Sequence, residues 1–133
     1  MRLLKPLSSS SIRTPAGLTR QTVQTRTVTL ATPSDPQSLI TQTDTVTVNG
    51  TQTSTVVYNG ANPNARTVTT TSPAGRQVRS VFDGLGHLIE ARIGNLDPVR
   101  FTYDARGLVS TVDQGGTGAR VSRFTYDAAQ QLI

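Results

Sequence analysis

Apolar and polar residues alternate along several stretches of this chain. Thr25-Arg26-Thr27-Val28-Thr29-Leu30 alternates without a break, the period of a half-buried strand. Val46 and Val48 continue the alternation up to Asn49-Gly50, and a second Thr/Val-rich run extends to Tyr58. Asn-Gly supplies the two positive-φ residues of a type I′ turn, so residues 41–58 read as a β-hairpin. Ala31 to Gln37 holds two prolines and an aspartate and reads as a loop. No helical period competes with these signals.

Further on, a turn device recurs. Tyr103-Asp104-Ala105-Arg106-Gly107 ends one run and starts the next. Asp104 can accept from a backbone N–H two residues on, and Gly107 can take the left-handed conformation that rejoins the ladder as a bulge. Phe82-Asp83-Gly84-Leu85-Gly86 has the same form, and Thr71-Ser72-Pro73-Ala74-Gly75 is a looser copy. Tyr58-Asn59-Gly60-Ala61-Asn62 is looser again, with Asn62 expected in the glycine role because Asn tolerates that region. Turn candidates start at Ser72, Asp83, Gly94, Asp104, Asp113 and Asp127. Each step between them holds one strand and one turn, which predicts an antiparallel meander with successive turns on opposite rims.

A true repeat underlies the spacing. Arg100-Phe101-Thr102-Tyr103-Asp104-Ala105 returns as Arg123-Phe124-Thr125-Tyr126-Asp127-Ala128, 23 residues later. A period of this size marks units that bury their apolar faces against one another. Alternation puts Val99, Phe101 and Tyr103 on one face, with Arg100 and Thr102 on the other. Phe124 and Tyr126 repeat that face, as do Val78 and Phe82. Each unit is thus expected to offer an aromatic row to its neighbours and a polar row to solvent.

These motifs resemble the Rhs/YD-repeat family, whose pattern is Tyr-Asp-x-x-Gly at intervals of roughly 20 residues. The matching stretches are Phe82-Asp83-Gly84-Leu85-Gly86-His87-Leu88, Tyr103-Asp104-Ala105-Arg106-Gly107-Leu108-Val109 and Tyr126-Asp127-Ala128-Ala129-Gln130-Gln131-Leu132. Thr69 to Arg76 resembles the family's degenerate repeats. The resemblance covers residues 57–133, and residues 21–56 match only in style. Three departures stand out: Phe82 in place of tyrosine, His87 where arginine is common, and Gln130 in place of the turn glycine. The resemblance implies hairpins wound into a spiral β-shell that encloses a toxin, as in bacterial Rhs toxins and toxin-complex subunits, or serves adhesion, as in teneurins. It gives Phe82, Asp83, Gly86, Tyr103, Asp104, Gly107, Tyr126 and Asp127 a structural role as repeat-motif residues. The self-cleaving Asp-Pro-x-Gly pattern of such shells is not matched by Asp97-Pro98-Val99-Arg100. A closed shell needs many more hairpins than this chain holds, so a fragment of a longer protein is expected.

Composition sharpens the picture. There are 22 threonines, aromatics make up only 5% and hydrophobic residues 35%. This suits a thin all-β sheet with one well-buried face rather than a thick core. Residues 1–20, with Ser8-Ser9-Ser10-Ser11, read as a poorly ordered lead-in before a sheet segment over 21–133. Met1 to Leu7 lacks the apolar run of a signal peptide, and no stretch is long enough to span a membrane. Cysteine is absent, which removes disulfide and thiolate-metal frameworks. The compartment stays open, extracellular or cell-surface if the chain belongs to a full-length family member.

The net charge is +5, and twelve of the 13 basic residues are arginine. They are dispersed, as on a solvated sheet face, so nucleic acid is not favoured as a partner. A glycan or other polyanion is the alternative, with aromatics as stacking groups. His87 is the only histidine and reads as a surface residue. Asp83, Asp104 and Asp127 are explained by turn formation and lie too far apart for a calcium loop. Asp113-Gln114-Gly115-Gly116-Thr117-Gly118 lacks the Lys-Ser/Thr of a phosphate loop and reads as a floppy hairpin loop. No catalytic residue, cofactor or metal is therefore expected. The expected partners are further YD repeats of a longer chain, or other copies pairing through sheet edges.

Overall fold

The computed structural model describes residues 2–116 and 120–133, with side chains from Ser8 onward. The described chain is all-β. The first half forms β1 (Arg2–Arg13), β2 (Thr19–Leu30), β3 (Leu39–Val48), β4 (Gln52–Asn59) and β5 (Arg66–Thr71). The second half forms β6 (Gln77–Phe82), β7 (Leu88–Ile93), β8 (Val99–Tyr103), β9 (Val109–Gln114) and β10 (Val121–Arg123). All pair antiparallel in chain order, from β1 at one edge to β10 at the other, without closing into a barrel. The meander read from turn spacing is thus the observed topology.

The segment read as a poorly ordered lead-in departs from that reading. Residues 2–13 form a strand that pairs along β2, with Ser8↔Gln24 through Arg13↔Thr19 in register. A serine run buries nothing, but it satisfies its backbone groups against a threonine-rich neighbour. Thr14-Pro15-Ala16-Gly17 closes this hairpin.

Register sorts the side chains into two unlike faces. On one, Thr25, Thr45, Thr55 and Thr71 lie in a row across β2 to β5, beside a second row of Thr27, Thr43, Val57 and Thr69. The same face turns charged in β6 to β9, where Val81, Glu90, Arg100 and Asp113 share one row. The opposite face carries Val28, Val46, Tyr58, Val68, Phe82, Val99, Phe101 and Val112.

That apolar face has no second layer among the described residues. Among the described residues Val81 is the only buried apolar one, at 7% exposure, and it lies on the polar face. Val78, placed with Phe82 on the expected aromatic row, lies on the apolar face but is 44% exposed. The expectation of a well-buried apolar face therefore fails for this chain, because a single sheet with nothing packed on it leaves both faces half in water.

Candidate functional site

One turn geometry is used five times. It starts at Thr14, Ser72, Asp83, Asp104 and Asp127. In each, the first N–H donates to the fifth carbonyl at 2.8–3.0 Å, and the fourth N–H donates to the first carbonyl at 2.9–3.2 Å. The first side chain closes the loop: its oxygen accepts from the fifth N–H at 2.8–3.1 Å. The fourth residue takes φ between 64° and 91°, as Gly17, Gly75, Gly86, Gly107 and Gln130. Asp83 and Asp104 also accept from the N–H two residues on, Leu85 and Arg106, at 2.9 Å. Gln130, the departure from glycine, still adopts the left-handed conformation, at φ 64°.

Two bulges flank these turns. Val81 pairs Glu90 while Phe82 pairs Leu88, and Thr102 pairs Thr111 while Tyr103 pairs Val109. Ile89 and Ser110 are the extra residues, and Thr102 Oγ1 touches both Ser110 Oγ at 2.9 Å and Thr111 Oγ1 at 2.6 Å. A bulge strengthens local twist and re-aims the strand.

Connections alternate between rims, so the turns starting at Asp83, Asp104 and Asp127 share one rim. There they interlock. Arg66 Nη2 donates to Gly84 O at 2.7 Å. The His87 ring bonds Asp83 Oδ2 through Nδ1 at 3.0 Å and stacks on Tyr103, with ring centroids 4.5 Å apart. Arg106 Nη1 donates to Asp127 O at 2.7 Å. Tyrosine hydroxyls add a second link: Tyr103 donates to Leu88 O at 2.7 Å and Tyr126 to Val109 O at 2.9 Å. Phe82 has no hydroxyl and makes no such bond. All eight repeat-motif residues therefore sit on this rim.

Charge follows geometry. Burial pushes the Asp83 carboxyl up, but the His87 backbone and side-chain bonds and the Leu85 N–H outweigh it, and the group lies below its ordinary value. The Leu108 N–H holds Asp104 down, with Arg106 N–H and guanidinium bonds adding to it against some burial. Burial raises Tyr103, and the Asp83 charge adds to it.

The chain matches no family model, no curated protein and no solved structure. The rim thus has to be read from its own chemistry. Among the described residues, no group of three or more His, Cys, Asp or Glu gathers as metal ligands. No described helix is long and apolar enough to cross a membrane.

His87 keeps 30% side-chain exposure at the surface of its turn, with Asp83 and Tyr103 against its ring. Some expectations need correction. Asn62 does not adopt positive φ; it caps its own loop by accepting from Asn64 N–H at 3.0 Å. Asp113 is not a turn start but pairs Val121 within the β9–β10 ladder; Gly115 and Gly116 turn the chain at φ 77° and 55°, and Thr117 and Gly118 lie outside the described residues. Asn49 and Gly50 have φ 52° and 69° as a type I′ turn requires, yet Thr51 also stands between paired Val48 and Gln52.

Sequence reading missed three elements. The turn at Thr14 had a visible signal, since Thr14-Pro15-Ala16-Gly17 parallels Ser72-Pro73-Ala74-Gly75. The reach of Arg66 and Arg106 to the next turn had none, because it depends on which turns share a rim.

Proposed function

We propose that this chain is a non-catalytic structural segment of a YD-repeat β-shell that encapsulates or displays a toxin or adhesion domain. The observation that carries the reading is the ladder of like turns on one rim. The turns at Asp83, Asp104 and Asp127 are each closed by their own side chain; Arg66 ties the preceding strand start to the first, His87 stacks on Tyr103 before the second, and Arg106 reaches the third. Such a ladder fixes the spacing of successive hairpins and can be extended by adding units, which is the physical requirement of a shell wall. Its side chains order backbone.

Surface area supports the same reading. A compact monomer of 14.2 kDa exposes about 6,800 Å². This chain exposes 9449 Å². The excess belongs to sheet faces and edges that a larger assembly covers. On this reading the partners are further YD repeats, and the location is outside the cell or at its surface.

The test is the size of the native product, by immunoblot of source cells and medium with an antibody to residues 95–130. A band far above 14.2 kDa is expected. A lone band at the size of this chain overturns the shell reading.

A further inference from the structure

β6 and β7 place Arg79 directly opposite Arg92. Cβ atoms of such cross-strand pairs lie about 4.5–5.5 Å apart, and like charges there destabilise the ladder. Arg79 is only partly compensated. Its Nη1 lies 3.2 Å from Glu90 Oε1, but Glu90 also serves Arg100, whose Nε is 3.3 Å from Oε2. Among the described residues Arg92 has neither an ion pair nor a side-chain hydrogen bond.

The same two arginines, with Gln77, Gly94 and Asn95, line a surface depression of about 260 Å³. Gln77 and Arg79 are two apart on one strand and therefore share a face. Asn95 enters from the β7–β8 turn, whose Gly94 N–H is already used by Gln77 O at 2.8 Å. The depression thus gathers two cationic forks and two neutral amides. A water occupies roughly 30 Å³ in the liquid, so the space holds an oxyanion with its solvent or the sugar that carries it.

We propose that this depression binds a tetrahedral oxyanion, phosphate or sulfate, between Arg79 and Arg92. Guanidinium forks match such oxygens bidentately. Forks arriving from two strands, with amides at the side, present donors from several directions, which suits four oxygens better than the two coplanar oxygens of a carboxylate. The anion also removes the like-charge cost built into the hairpin. The inference needs only β6, β7 and the turn that follows β7, and it stands whether or not the chain belongs to a shell.

The test uses the full chain and the arginine Nε–Hε signals in NMR at constant ionic strength. Inorganic phosphate should shift Arg79 and Arg92 saturably, while Arg20 and Arg123 stay still. Arg92→Gln should weaken binding on the order of tenfold or more, and Arg20→Gln should not. Arg92→Glu should abolish binding and raise the melting temperature without ligand, because it exchanges a repulsive pair for an attractive one; this separates lost binding from lost folding. A sulfated oligosaccharide that saturates the same two signals at lower concentration than free phosphate assigns the site to an esterified ligand. The reverse order assigns it to the free ion. Non-saturating shifts of all arginines alike, or unchanged binding in Arg92→Gln, overturns the proposal.

Discussion

Gly107 and Gly86 stand at the same position of the same turn, yet a methyl group on each meets a different environment. Gly86 has φ 91° and nothing within 4 Å of an added Cβ. Gly107 has φ 80°, and its Cβ would lie 3.4 Å from His87 Nε2 and 3.7 Å from Cε1. Those are ordinary van der Waals distances, so the added methyl would rest against a ring that Asp83 and Tyr103 hold in place. Both alanines therefore carry the left-handed backbone cost, about 1–2 kcal/mol, and Gly107→Ala recovers a few tenths of it at about 0.1–0.2 kcal/mol per atom pair. For a chain of this size each kcal/mol lowers the melting temperature by about 3–5 °C. Far-UV circular dichroism melts should then place both alanines below the parent, with Gly86→Ala the lower by roughly a degree, and Gly107→Val below Gly107→Ala because a β-branched residue fits positive φ worst. In a His87→Ala background the two alanines should cost the same. A Gly107→Ala that loses clearly more than Gly86→Ala would refute this reading of the contact. A Gly107→Ala that melts like the parent would refute the account of the turn itself.

Three further outcomes follow from the rim. Gln130 occupies the left-handed position at φ 64°, so Gln130→Gly should stabilise by about 1 kcal/mol, read as a higher melting temperature. Tyr103→Phe should cost about 1 kcal/mol by removing the donor to Leu88 O, with faster amide exchange around residues 87–90; an unchanged exchange pattern there would show that the hydroxyl does not tie the two units together. Asp44, Asp83 and Asp104 all lie below their ordinary carboxyl values, Asp44 chiefly through its bond from Arg26. Depressed folded-state values mean stability that is full above the unfolded value near 3.9 and is lost as pH falls from there through the lower folded-state value. An acid titration of the fold should therefore show a loss beginning near pH 4, diminished in Asp104→Asn, and no such loss between pH 5 and 8 from these groups.

The turns were the most legible feature because their requirements are local. Asp104 and Gly107 need only each other and the residues between them, so spacing alone revealed them. Thr14 to Gly17 obeys the same rule, but the neighbouring serines drew the reading towards disorder. Serine and threonine read as solvent-facing when burial is the criterion, and as strand when pairing is. β1 pairs with β2 and needs no core. Asn62 shows the limit of analogy between turns, since a longer loop satisfied its backbone without positive φ. The faces were half legible: alternation separates Phe101 from Arg100 correctly, but it cannot tell whether anything covers Phe101.

The polar face is also where the one buried residue among those described lies, and this has a physical logic. Val81 is flanked in register by Thr67 and Glu90, next to the bulge that places Ile89 beside Glu90. A bulge crowds two side chains onto one stretch of strand, so even a solvated face can shelter a valine there. The apolar face has no comparable shelter: Val56, Val78 and Ile93 form a row across β4, β6 and β7, interrupted only by Thr70, at 41%, 44% and 61% exposure. Apolar burial is worth roughly 25 cal/mol per Å², and a lone sheet gathers little of it. The turns compensate locally, because side-chain hydrogen bonds fix each hairpin without any covering layer. Local closure of this kind needs no core, and it explains why the side-chain hydrogen bonds of this chain gather at its turns rather than in a cleft.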